Sequence, residues 1–376
     1  MSNRQKNILF IISSLSVGGA EKLLVNLVNS FNRDQFSINI IALSDENPLA
    51  KEINSDDISF TPLPRKWRYD LKPAQQIRNI IIEKQIDTII LFDLFSYFYI
   101  WCAFLRIPLK PRIFISLHYT NLNNRKHFLQ SMVYVRLLSG EEVFISVCDT
   151  QANYLSKVYR IPRNRFITIY NGVNVNYFHP QDDNTIRKSI RSSLMIPEDA
   201  YVILQVASLA PHKHHEDSLA ALNIINKENP SIPCYLVLVG QGSKDREFKL
   251  RAMSDTLMIS NLVRFCGLQS DVRLFYQTAD IFTLSSISIE TFSVAALEAM
   301  SMGLPCVLTD VGGASEMIVE GMNGYIVPPN NPHQLAKAWL TALKNKDSFN
   351  HEEIRTWVID HFTLTDCIQK YENILQ

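Results

Sequence analysis

One pattern repeats along the whole chain: short apolar runs rich in Ile, Val and Leu alternate with segments of helical periodicity. Apolar runs of this kind are typical of parallel strands that helices cover on both faces. The candidate strands of the first half are NILFIIS, SINIIAL, TIILF, RIFIS, EVFISV and RFITIY, and those of the second half are YVILQVAS, CYLVLVG, VRFCG, IFTLSS, PCVLT and GYIVP. The sequence therefore predicts an α/β protein in which each half forms its own doubly wound parallel sheet.

The length of the chain supports a division into two domains, because 376 residues exceed the usual size of one. Turn residues and charge replace periodic hydrophobicity in NGVNVNYFHPQDDN, residues 171–184. We place the boundary there and expect domains at 1–180 and 181–362. Ligands of open α/β sheets bind at the carboxyl ends of the strands, so a cleft between two such domains is the expected binding site.

Charge is distributed unevenly although the net charge is zero. Residues 1–180 contain 21 lysines and arginines against 14 aspartates and glutamates, whereas the remainder contains 16 against 23. A basic half indicates an anionic partner such as a lipid surface, phosphates or nucleic acid; the alternative is chance together with mutual attraction between the two domains. Binding of nucleic acid is disfavoured, because the aromatic side chains of FDLFSYFYIWCAF are apolar enough to form a helix core rather than a stacking groove.

The cysteines and the apolar segments indicate a compartment. Six cysteines are scattered singly with no CxxC pair, which predicts buried thiols in a reducing environment. The N-terminal MSNRQKNILFIISSLSVGGAE imitates a signal peptide, but the helical pattern that follows GGAE favours a strand and a glycine loop. The uncharged stretch at residues 94–105 is shorter than the about 20 residues that a spanning helix needs. We expect a cytoplasmic protein whose contact with a membrane is peripheral.

Glycines follow two of the candidate strands. Gly18 and Gly19 follow the first strand, and Gly240 and Gly242 follow a strand of the second half. Loops at such places bring backbone amides, and the positive end of the next helix, close to phosphate oxygens, although most glycine pairs taken alone are plain turns. Neither loop reads GxGxxG or GxxxxGK[ST], so dinucleotide-binding and P-loop sites lose support.

Two glutamates lie in the otherwise apolar and small-residue segment SIETFSVAALEAM. A carboxylate that is removed from water is costly unless it is paired, so Glu290 and Glu298 require partners. Glu290 follows the strand IFTLSS, and Thr291 or Ser293 is expected to cap the next helix. Glu298 lies inside that helix, where its side chain tilts back toward the N-terminus.

Between the two glutamates lie the backbone amides of the first helical turn, around Phe292 to Ala295, which suit an anion. A carboxylate, an anion site and a second carboxylate match the hexose hydroxyls, the diphosphate and the ribose diol of a nucleotide sugar. The alternative is that Glu290 caps a backbone turn and Glu298 forms a salt bridge on the helix surface.

The segment SIETFSVAALEAMSMGLPCVLTDVGGASEMI resembles the donor-binding signature of family 4 retaining glycosyltransferases, also called group 1 glycosyltransferases. Further pieces occur in the order of that family: SVGGAEKLLVNL, SLHYT, ISVCDTQANYL, IYNGVNVNYFHP, VASLAPHKHHEDSLAAL, LVLVGQG and NGYIVPPNNPHQLAKA. The resemblance implies the GT-B architecture of two facing Rossmann-like domains with an interdomain cleft. The first domain would bind the acceptor, the second would bind the nucleotide sugar, and a C-terminal helix at about 363–376 would return to the first.

The resemblance also implies roles for individual residues. Glu290 would bind hydroxyls of the transferred sugar, and Glu298 would bind the ribose diol. Lys213 would neutralise the departing diphosphate, and His118 would lie beside the anomeric centre and position a substrate; taken alone, His118 is equally typical of a hydrogen-bonded core residue. The implied donor-binding residues are Gly18, Gly19, Lys213, Glu290, Phe292, Ser293 and Glu298.

The sequence departs from the family pattern at two positions. Ser208 stands where many members have an arginine, so one phosphate cation is absent or is supplied by a neighbour such as His212, His214 or His215, unless these histidines form a solvated face. Thr291 stands where glycine is common. We expect no cofactor and no metal, because the sequence has no DxD motif and the histidine cluster lacks matching carboxylates. The family implies retention of configuration, by double displacement or by same-face attack.

The acceptor is the least constrained partner. Excess positive charge lies in the segments PRKWRYDLK, RIPLKPR, NNRKHFLQSMVYVRLL and SKVYRIPRNR. The third segment, residues 123–138, predicts an amphipathic helix that either rests on anionic lipid or packs inward through Phe128, Met132, Val135 and Leu138. We expect a lipid-linked glycan acceptor in bacterial surface polysaccharide (LPS, capsule or exopolysaccharide) synthesis. The alternatives are a small soluble acceptor and a non-catalytic, nucleotide-sugar-binding subunit.

Overall fold

The computed structural model describes residues 4–16, 18–54, 57–105, 111–118, 125–181, 184–288 and 290–376, with the backbone alone at residues 125–127 and 184. The chain forms two compact units, Met1–Tyr170 together with Cys367–Gln376, and Asn171–Asp366. The division lies before the predicted boundary at residue 180. The reason is that Val173 pairs with Thr363 and donates its amide to the carbonyl oxygen of Phe362, which ties the segment after Tyr170 to the second unit.

The first unit is built on a parallel sheet. Over the described residues its strands are β1 (Lys6–Ile12), β2 (Phe36–Ala42), β3 (Ser59–Pro62), β4 (Thr88–Leu91), β5 (Arg112–Leu117), β6 (Val143–Ser146) and β7 (Phe166–Thr168). Their order in the sheet is β3-β2-β1-β4-β5-β6-β7. The order reverses between β1 and β4, and ligands of doubly wound sheets bind at the carboxyl ends of strands at such a point.

The second unit repeats this topology. In the part of the chain that the structure describes, its strands are β8 (Tyr201–Val206), β9 (Cys234–Val239), β10 (Val263–Phe265), β11 (Ile281–Leu284), β12 (Cys306–Thr309) and β13 (Gly324–Val327). They are parallel and lie in the order β10-β9-β8-β11-β12-β13. The switch point lies between β8 and β11. Each unit is therefore Rossmann-like, as the alternating pattern predicts.

Helices connect the strands in both units. In chain order the described α-helices are α1 (Gly19–Ser30), α2 (Lys72–Glu83), α3 (Ser96–Phe104), α4 (Arg125–Arg136), α5 (Asp149–Tyr159), α6 (Asn184–Ser193), α7 (His215–Glu228), α8 (Lys244–Thr256), α9 (Arg273–Thr278), α10 (Val294–Ser301), α11 (Ala314–Met317), α12 (Pro332–Lys344), α13 (His351–His361) and α14 (Leu364–Leu375). From Cys367 onward, α14 belongs to the first unit.

The sheet of the first unit is buried on both faces. Successive residues of β4 alternate between two core clusters, with Ile89 and Leu91 in one and Ile90 in the other. Tyr371 and Leu375 of α14 are fully buried in the second cluster. The helix that returns to the first unit therefore completes one of its two cores.

The apolar side of α4 packs inward. Met132 and Val135 of α4, and Leu138 just after it, are partly buried against the core of the first unit, whereas Leu129 and Val133 are exposed. Of the two alternatives for this helix, inward packing is therefore correct for these three side chains. Among the described residues no helix combines the length and the apolar character that crossing a bilayer requires.

The predicted helix core and the predicted thiols are both present. Tyr97, Tyr99 and Ile100 of α3 are buried, as the aromatic run predicts. All six cysteines are free, and Cys102 and Cys266 are only partly buried. The expectation of buried thiols therefore holds for the other four.

Candidate active site

Lys213 lies in the loop that follows β8. It ends a short 3₁₀ turn that begins at Pro211. The hydroxyl of Ser285, just after β11, donates to the carbonyl oxygen of Lys213 at 3.0 Å, and the amide of Ile287 donates to the carbonyl oxygen of His212 at 2.9 Å. Because β8 and β11 are neighbours in the sheet, these bonds join two adjacent loops at the carboxyl edge.

A cluster of buried polar side chains supports the loop that carries Lys213. Gln205, Ser218 and Ser285 are all fully buried. Ser218 donates to Oε1 of Gln205 at 2.7 Å, and Nε2 of Gln205 lies 3.3 Å from the hydroxyl of Ser285. Buried polar groups that are satisfied in this way rigidify their surroundings. The backbone at Lys213 is therefore held by a network of fixed geometry.

Lys213 and Glu290 form an ion pair, although 77 residues separate them. Nζ of Lys213 lies 2.5 Å from Oε2 of Glu290, and the side chains are 18% and 14% exposed. The hydroxyl of Ser286 donates to the same carboxylate oxygen at 3.0 Å. An ammonium carries three N–H donors, so a lysine that gives one to Glu290 retains donors for a ligand anion. The structure thus brings together two of the predicted site residues.

The helix that follows Glu290 begins as predicted, with Ser293 as its cap. The hydroxyl of Ser293 accepts a hydrogen bond from the amide of Ala296 at 3.3 Å. The ring of Phe292 is buried and lies 5.2 Å from the ring of Phe362. The side chain of Phe292 therefore anchors the turn, and a contact of its backbone with a ligand stays a prediction.

The loop after β12 fixes the backbone on the other side of Glu290. Gly312 has a φ of +63°, and a Cβ at this position would lie 2.3 Å from the carbonyl oxygen of Glu290. The next amide, that of Gly313, donates to the carbonyl oxygen of Thr291 at 2.7 Å. Only glycine allows the two segments to approach this closely, so Gly312 contributes to the position of Glu290.

Glu298 lies on α10 and has a different partner. The hydroxyl of Tyr276 lies 2.8 Å from Oε2 of Glu298 and 3.1 Å from the carbonyl oxygen of Ala295. Burial raises the pKa of Glu298 to about 7, and the hydrogen bond from Tyr276 opposes that rise. Glu298 is half-buried and contacts a phenol, so the alternative of a surface salt bridge does not describe it.

Three histidines near Lys213 are the candidate substitutes for the arginine that is absent at position 208, and one of them, His214, has its Nδ1 3.2 Å from Oδ2 of Asp217. Burial lowers the pKa of His215 to about 4, and burial together with the charge of Lys213 lowers the pKa of His212. Both rings are therefore neutral near pH 7. His215 is also fully buried, which excludes a solvated face at that position.

A pocket of about 420 Å³ lies beside Ser208, and Arg246 and Lys249 of α8 contribute to its lining. Arg246 is held by Glu216, whose carboxylate lies 2.5 and 2.7 Å from the two guanidinium nitrogens, so its charge is already compensated. The pocket is large enough for a ligand, but the guanidinium of Arg246 is already paired with Glu216. Among the described residues, no three His, Cys, Asp or Glu side chains converge on a metal site.

In the first unit, Gly18 is the N-cap residue of α1, with extended backbone. A Cβ at Gly18 would lie 2.3 Å from Oε2 of Glu21, so the carboxyl group of Glu21 lies against the start of the helix. Burial raises the pKa of Glu21. Binding of phosphate by Gly18 and Gly19 stays a prediction, and a phosphate there would compete with this carboxyl group.

His118 follows β5 and is half-buried. Its ring stacks on that of Phe92, with centroids 5.1 Å apart and planes 13° apart. Nε2 lies 2.9 Å from the hydroxyl of Ser116, and burial lowers the pKa of His118 to about 4. The imidazole is therefore neutral near pH 7 and is held in one plane.

Sequence reasoning missed several residues that support the site. Asp93 follows β4 and accepts hydrogen bonds from the amide and hydroxyl of Ser13 and from the amide of Ser96; an aspartate directly after the strand TIILF is a signal that could have identified it. Tyr276 and Ser286 had no comparable signal, because nothing in their local sequence indicates a carboxylate partner.

Two family models match the chain. The model of Glycosyltransferase Family 4 matches residues 17–177, and that of Glycosyl transferases group 1 matches residues 186–355. A related "Uncharacterized glycosyltransferase" of Haemophilus influenzae is 22% identical over an alignment of 376 positions, which covers 97% of this chain and 98% of that protein. The N-acetyl-alpha-D-glucosaminyl L-malate synthase of Bacillus anthracis is 24% identical over 314 residues, covering 81% and 78% of the two chains.

Solved structures share the fold. HepE from Anabaena, in complex with UDP, superimposes with a TM-score of 0.84 at 20% identity, over 98% of this chain and 99% of that one. The lipopolysaccharide outer core galactosyltransferase WaaB superimposes with a TM-score of 0.77 at 19% identity, over 98% and 99%. With a Rossmann-like unit in each half and a family model matched to each, this chain belongs to the family 4, group 1 glycosyltransferases and has their GT-B fold.

Proposed function

We propose that the protein transfers a sugar from a nucleotide-sugar donor to an acceptor hydroxyl, with retention of configuration and without a bound metal. The observation that carries this proposal is the contact of Lys213 with Glu290 just before the N-terminus of α10. The carboxyl ends of neighbouring strands in the second unit thus bring together the ammonium of Lys213, the carboxylate of Glu290 and the positive N-terminal end of α10. That combination suits a ligand with an anionic centre and flanking hydroxyls.

The leaving group in this mechanism is a nucleoside diphosphate. The bond from the anomeric carbon to the diphosphate oxygen breaks, and its electron pair stays on that oxygen. The acceptor oxygen bonds to the anomeric carbon, and its proton passes to the departing diphosphate. Lys213 and the amides at the start of α10 stabilise the departing charge, a kind of preorganised contact that is typically worth a few kcal/mol per donor.

The two carboxylates orient the donor on either side of that charge. Glu290 accepts hydrogen bonds from hydroxyls of the transferred sugar, and Glu298 accepts from the ribose diol. The ion pair with Lys213 and the bond from Ser286 position Glu290 before the donor arrives. Such positioning reduces the reorganisation that binding requires.

The acceptor that we propose is a lipid-linked glycan of bacterial surface polysaccharide, reached from the cytoplasmic face of the membrane. The similarity to WaaB and the net charge of +7 on residues 1–180 support this choice. Flotation with liposomes of anionic lipid should carry the protein upward, and flotation with neutral liposomes should not. Absence of binding to either kind of liposome would count against a lipid-linked acceptor.

A small soluble acceptor is the second candidate, and the similarity to a synthase whose name includes L-malate favours it. The two candidates differ in the product. Incubation with a donor and either malate or a lipid-linked glycan extract, followed by mass spectrometry, would show which acceptor gains a hexose. Transfer to malate alone would replace the lipid-linked acceptor in the proposal.

The donor is tested by thermal stabilisation with UDP-, GDP- and ADP-sugars, beginning with UDP-sugars because HepE was solved with UDP. We expect Lys213→Ala to weaken the shift and to lower the rate of transfer by about 10²-fold or more. Glu290→Gln should make the shift insensitive to the identity of the sugar. Lys188→Ala is the matched control, because Lys188 is exposed, pairs with Glu198 and lines no part of the candidate site.

A non-catalytic binding subunit would give a different result. It would be stabilised by a nucleotide sugar but would neither hydrolyse the donor nor transfer its sugar, and Glu290→Ala would leave its biological role intact. If no nucleotide sugar stabilises the protein at about millimolar concentration, where even weak binders of a few kcal/mol are detected, the proposal fails.

A further inference from the structure

Three side chains of the first unit form a continuous hydrogen-bonded chain. The hydroxyl of Tyr371, on α14, lies 3.0 Å from the hydroxyl of Ser116 on β5, and the hydroxyl of Ser116 lies 2.9 Å from Nε2 of His118. Tyr371 and Ser116 are fully buried, and His118 is half-buried at the end of the strand. The chain therefore leads from the core to an imidazole at the carboxyl edge of the sheet.

The direction of these bonds follows from counting hydrogens. Each hydroxyl has one hydrogen to donate, and a neutral imidazole has one N–H. If Nε2 of His118 donated to Ser116, and Ser116 to Tyr371, the buried hydrogen of Tyr371 would have no acceptor among the described residues. If His118 and Tyr371 both donated to the hydroxyl oxygen of Ser116, the hydroxyl hydrogen of Ser116 would have no acceptor among the described residues.

One arrangement leaves both buried hydroxyl hydrogens, those of Tyr371 and Ser116, with an acceptor. Tyr371 donates to Ser116, and Ser116 donates to Nε2 of His118. Buried polar groups in folded proteins are nearly always paired, and an unpaired buried donor is costly. Nε2 is then an acceptor, so the ring hydrogen is on Nδ1.

We infer that Tyr371 of the C-terminal helix acts through Ser116 to hold His118 as its Nδ1–H tautomer, so that His118 is a hydrogen-bond donor to a ligand oxygen and not a base. Two further observations agree with this inference. The ring plane is fixed by stacking on Phe92, and within the described residues Nδ1 has no hydrogen-bond partner. The low pKa of His118 keeps the imidazole neutral.

The ligand atom is named by the proposed function, on which this part of the inference rests. A hydroxyl or ring oxygen of the transferred sugar accepts the Nδ1–H bond. Tyr371 and Ser116 are positioning residues, because they act through His118 and contact no ligand themselves.

The test uses the full-length protein labelled with ¹⁵N-histidine, and it requires no substrate. Nitrogen chemical shifts distinguish a protonated ring nitrogen from an unprotonated one, and His118→Asn identifies the signals of His118. We expect the wild-type protein to show a protonated Nδ1 and an unprotonated Nε2. Tyr371→Phe removes the hydrogen that orients Ser116. In that variant the nitrogen signals of His118 should move toward those of a mixture of the two tautomers.

Ser116→Ala is a second route to the same result, since it removes the donor to Nε2 in a side chain of similar size. Tyr99→Phe is the matched control, because Tyr99 is a buried tyrosine of the same unit whose hydroxyl donates to the carbonyl oxygen of Arg68 at 2.8 Å. That variant should leave the His118 signals unchanged. A protonated Nε2 in the wild type, or an unchanged tautomer in both Tyr371→Phe and Ser116→Ala, would overturn the inference.

The kinetic readout is separate from the spectroscopic one. In Tyr371→Phe we expect kcat to fall in proportion to the lost Nδ1–H fraction, with the KM for the donor nearly unchanged. Unaltered kcat despite a changed tautomer would overturn the donor role of His118. If no nucleotide sugar is bound, the proposed function fails, while the tautomer measured by NMR still tests the positioning by Tyr371.

Discussion

The phenol of Tyr276 donates a hydrogen bond of 2.8 Å to Oε2 of Glu298, across the space between α9 and α10. Tyr276 is fully buried, and burial raises the pKa of Glu298 to about 7. The hydrogen bond lowers that pKa, because it stabilises the ionised carboxylate. A carboxyl group with a pKa near 7 changes its charge within the physiological range of pH. Among the described residues, the thiol of Cys306 also faces Tyr276.

Replacing Tyr276 by Phe should therefore shift the pH dependence of nucleotide binding. The ionised carboxylate accepts from both hydroxyls of a diol, so binding of UDP by the wild type should strengthen as pH rises through about 7. Loss of the phenol raises the pKa of Glu298, and the rise in affinity should move to higher pH. Titration calorimetry between about pH 5.5 and 8.5 measures the shift. Tyr325→Phe is the control, and coincident profiles for all three proteins would contradict the role of Tyr276.

The stability of the wild type should depend on pH through the same group. The pKa of Glu298 is higher in the folded state than its ordinary value of 4.5, so the folded state binds more protons between about pH 4.5 and 7. The free energy of unfolding contributed by this group is therefore greatest at low pH and falls as pH rises through that window. Glu298→Gln should remove this contribution in denaturant titrations, and an identical slope in both proteins would show that the carboxyl is not perturbed.

Gly312 offers a test of how tightly the loop after β12 holds Glu290. Gly312→Ala adds both a left-handed backbone strain and a Cβ 2.3 Å from the carbonyl oxygen of Glu290. Gly267 has a similar φ of +66° with no atom within 4 Å of an added Cβ. We expect Gly267→Ala to cost about 1 to 2 kcal/mol, and Gly312→Ala to cost about 3 kcal/mol or more. Equal losses in denaturant titrations would mean that the close approach is relieved without cost.

Ser208→Arg should restore the phosphate cation that the family pattern has at this position. Ser208 is exposed beside the pocket of about 420 Å³, and Arg246 in that pocket is already paired. One charge-assisted hydrogen bond contributes about 1.5 to 3 kcal/mol, so we expect roughly tenfold to hundredfold tighter binding of a nucleoside diphosphate. Ser208→Gln controls for side-chain length without charge. Equal affinities for the two variants would indicate that the phosphates lie elsewhere.

Chelation is expected to leave transfer unchanged. In the proposed mechanism the departing diphosphate is neutralised by Lys213 and by backbone amides, so no metal is required. The rate of transfer measured with and without EDTA, after removal of trace metal, provides the test. A loss of activity that Mg²⁺ or Mn²⁺ restores would contradict it.

The two sheets were predictable from the sequence, because strands buried on both faces are short apolar runs rich in Ile, Val and Leu. Each of the twelve apolar runs corresponds to a strand in the structure, and β3 (Ser59–Pro62) was missed. That strand has only four residues, contains Pro62 and lies at the edge of the sheet, where neither burial nor periodicity is strong. The cap of α10 was predictable for a similar reason, because a serine before an apolar helix has a specific local role.

The partners of the site residues were not predictable in the same way. Lys213 and Glu290 were both identified, but their contact depends on the adjacency of β8 and β11, which no local pattern encodes. Burial changed the interpretation of the histidines, since a cationic role for His215 requires a solvation that the core does not provide. Contacts between distant segments and the desolvation of single side chains therefore needed the structure.

The placement of α14 has a consequence for synthesis on the ribosome. Residues 171–366 form a continuous unit, whereas the unit that begins the chain also needs Cys367, Tyr371 and Leu375 for one of its cores. Domains generally fold as units while the chain emerges. The core of the first unit therefore stays incomplete, with part of its apolar surface exposed to solvent, while the second unit is synthesised and folds. Residues 367–376 then cover that surface. Because the chain is made from its N-terminus, the unit that is synthesised first is the one that completes its folding last.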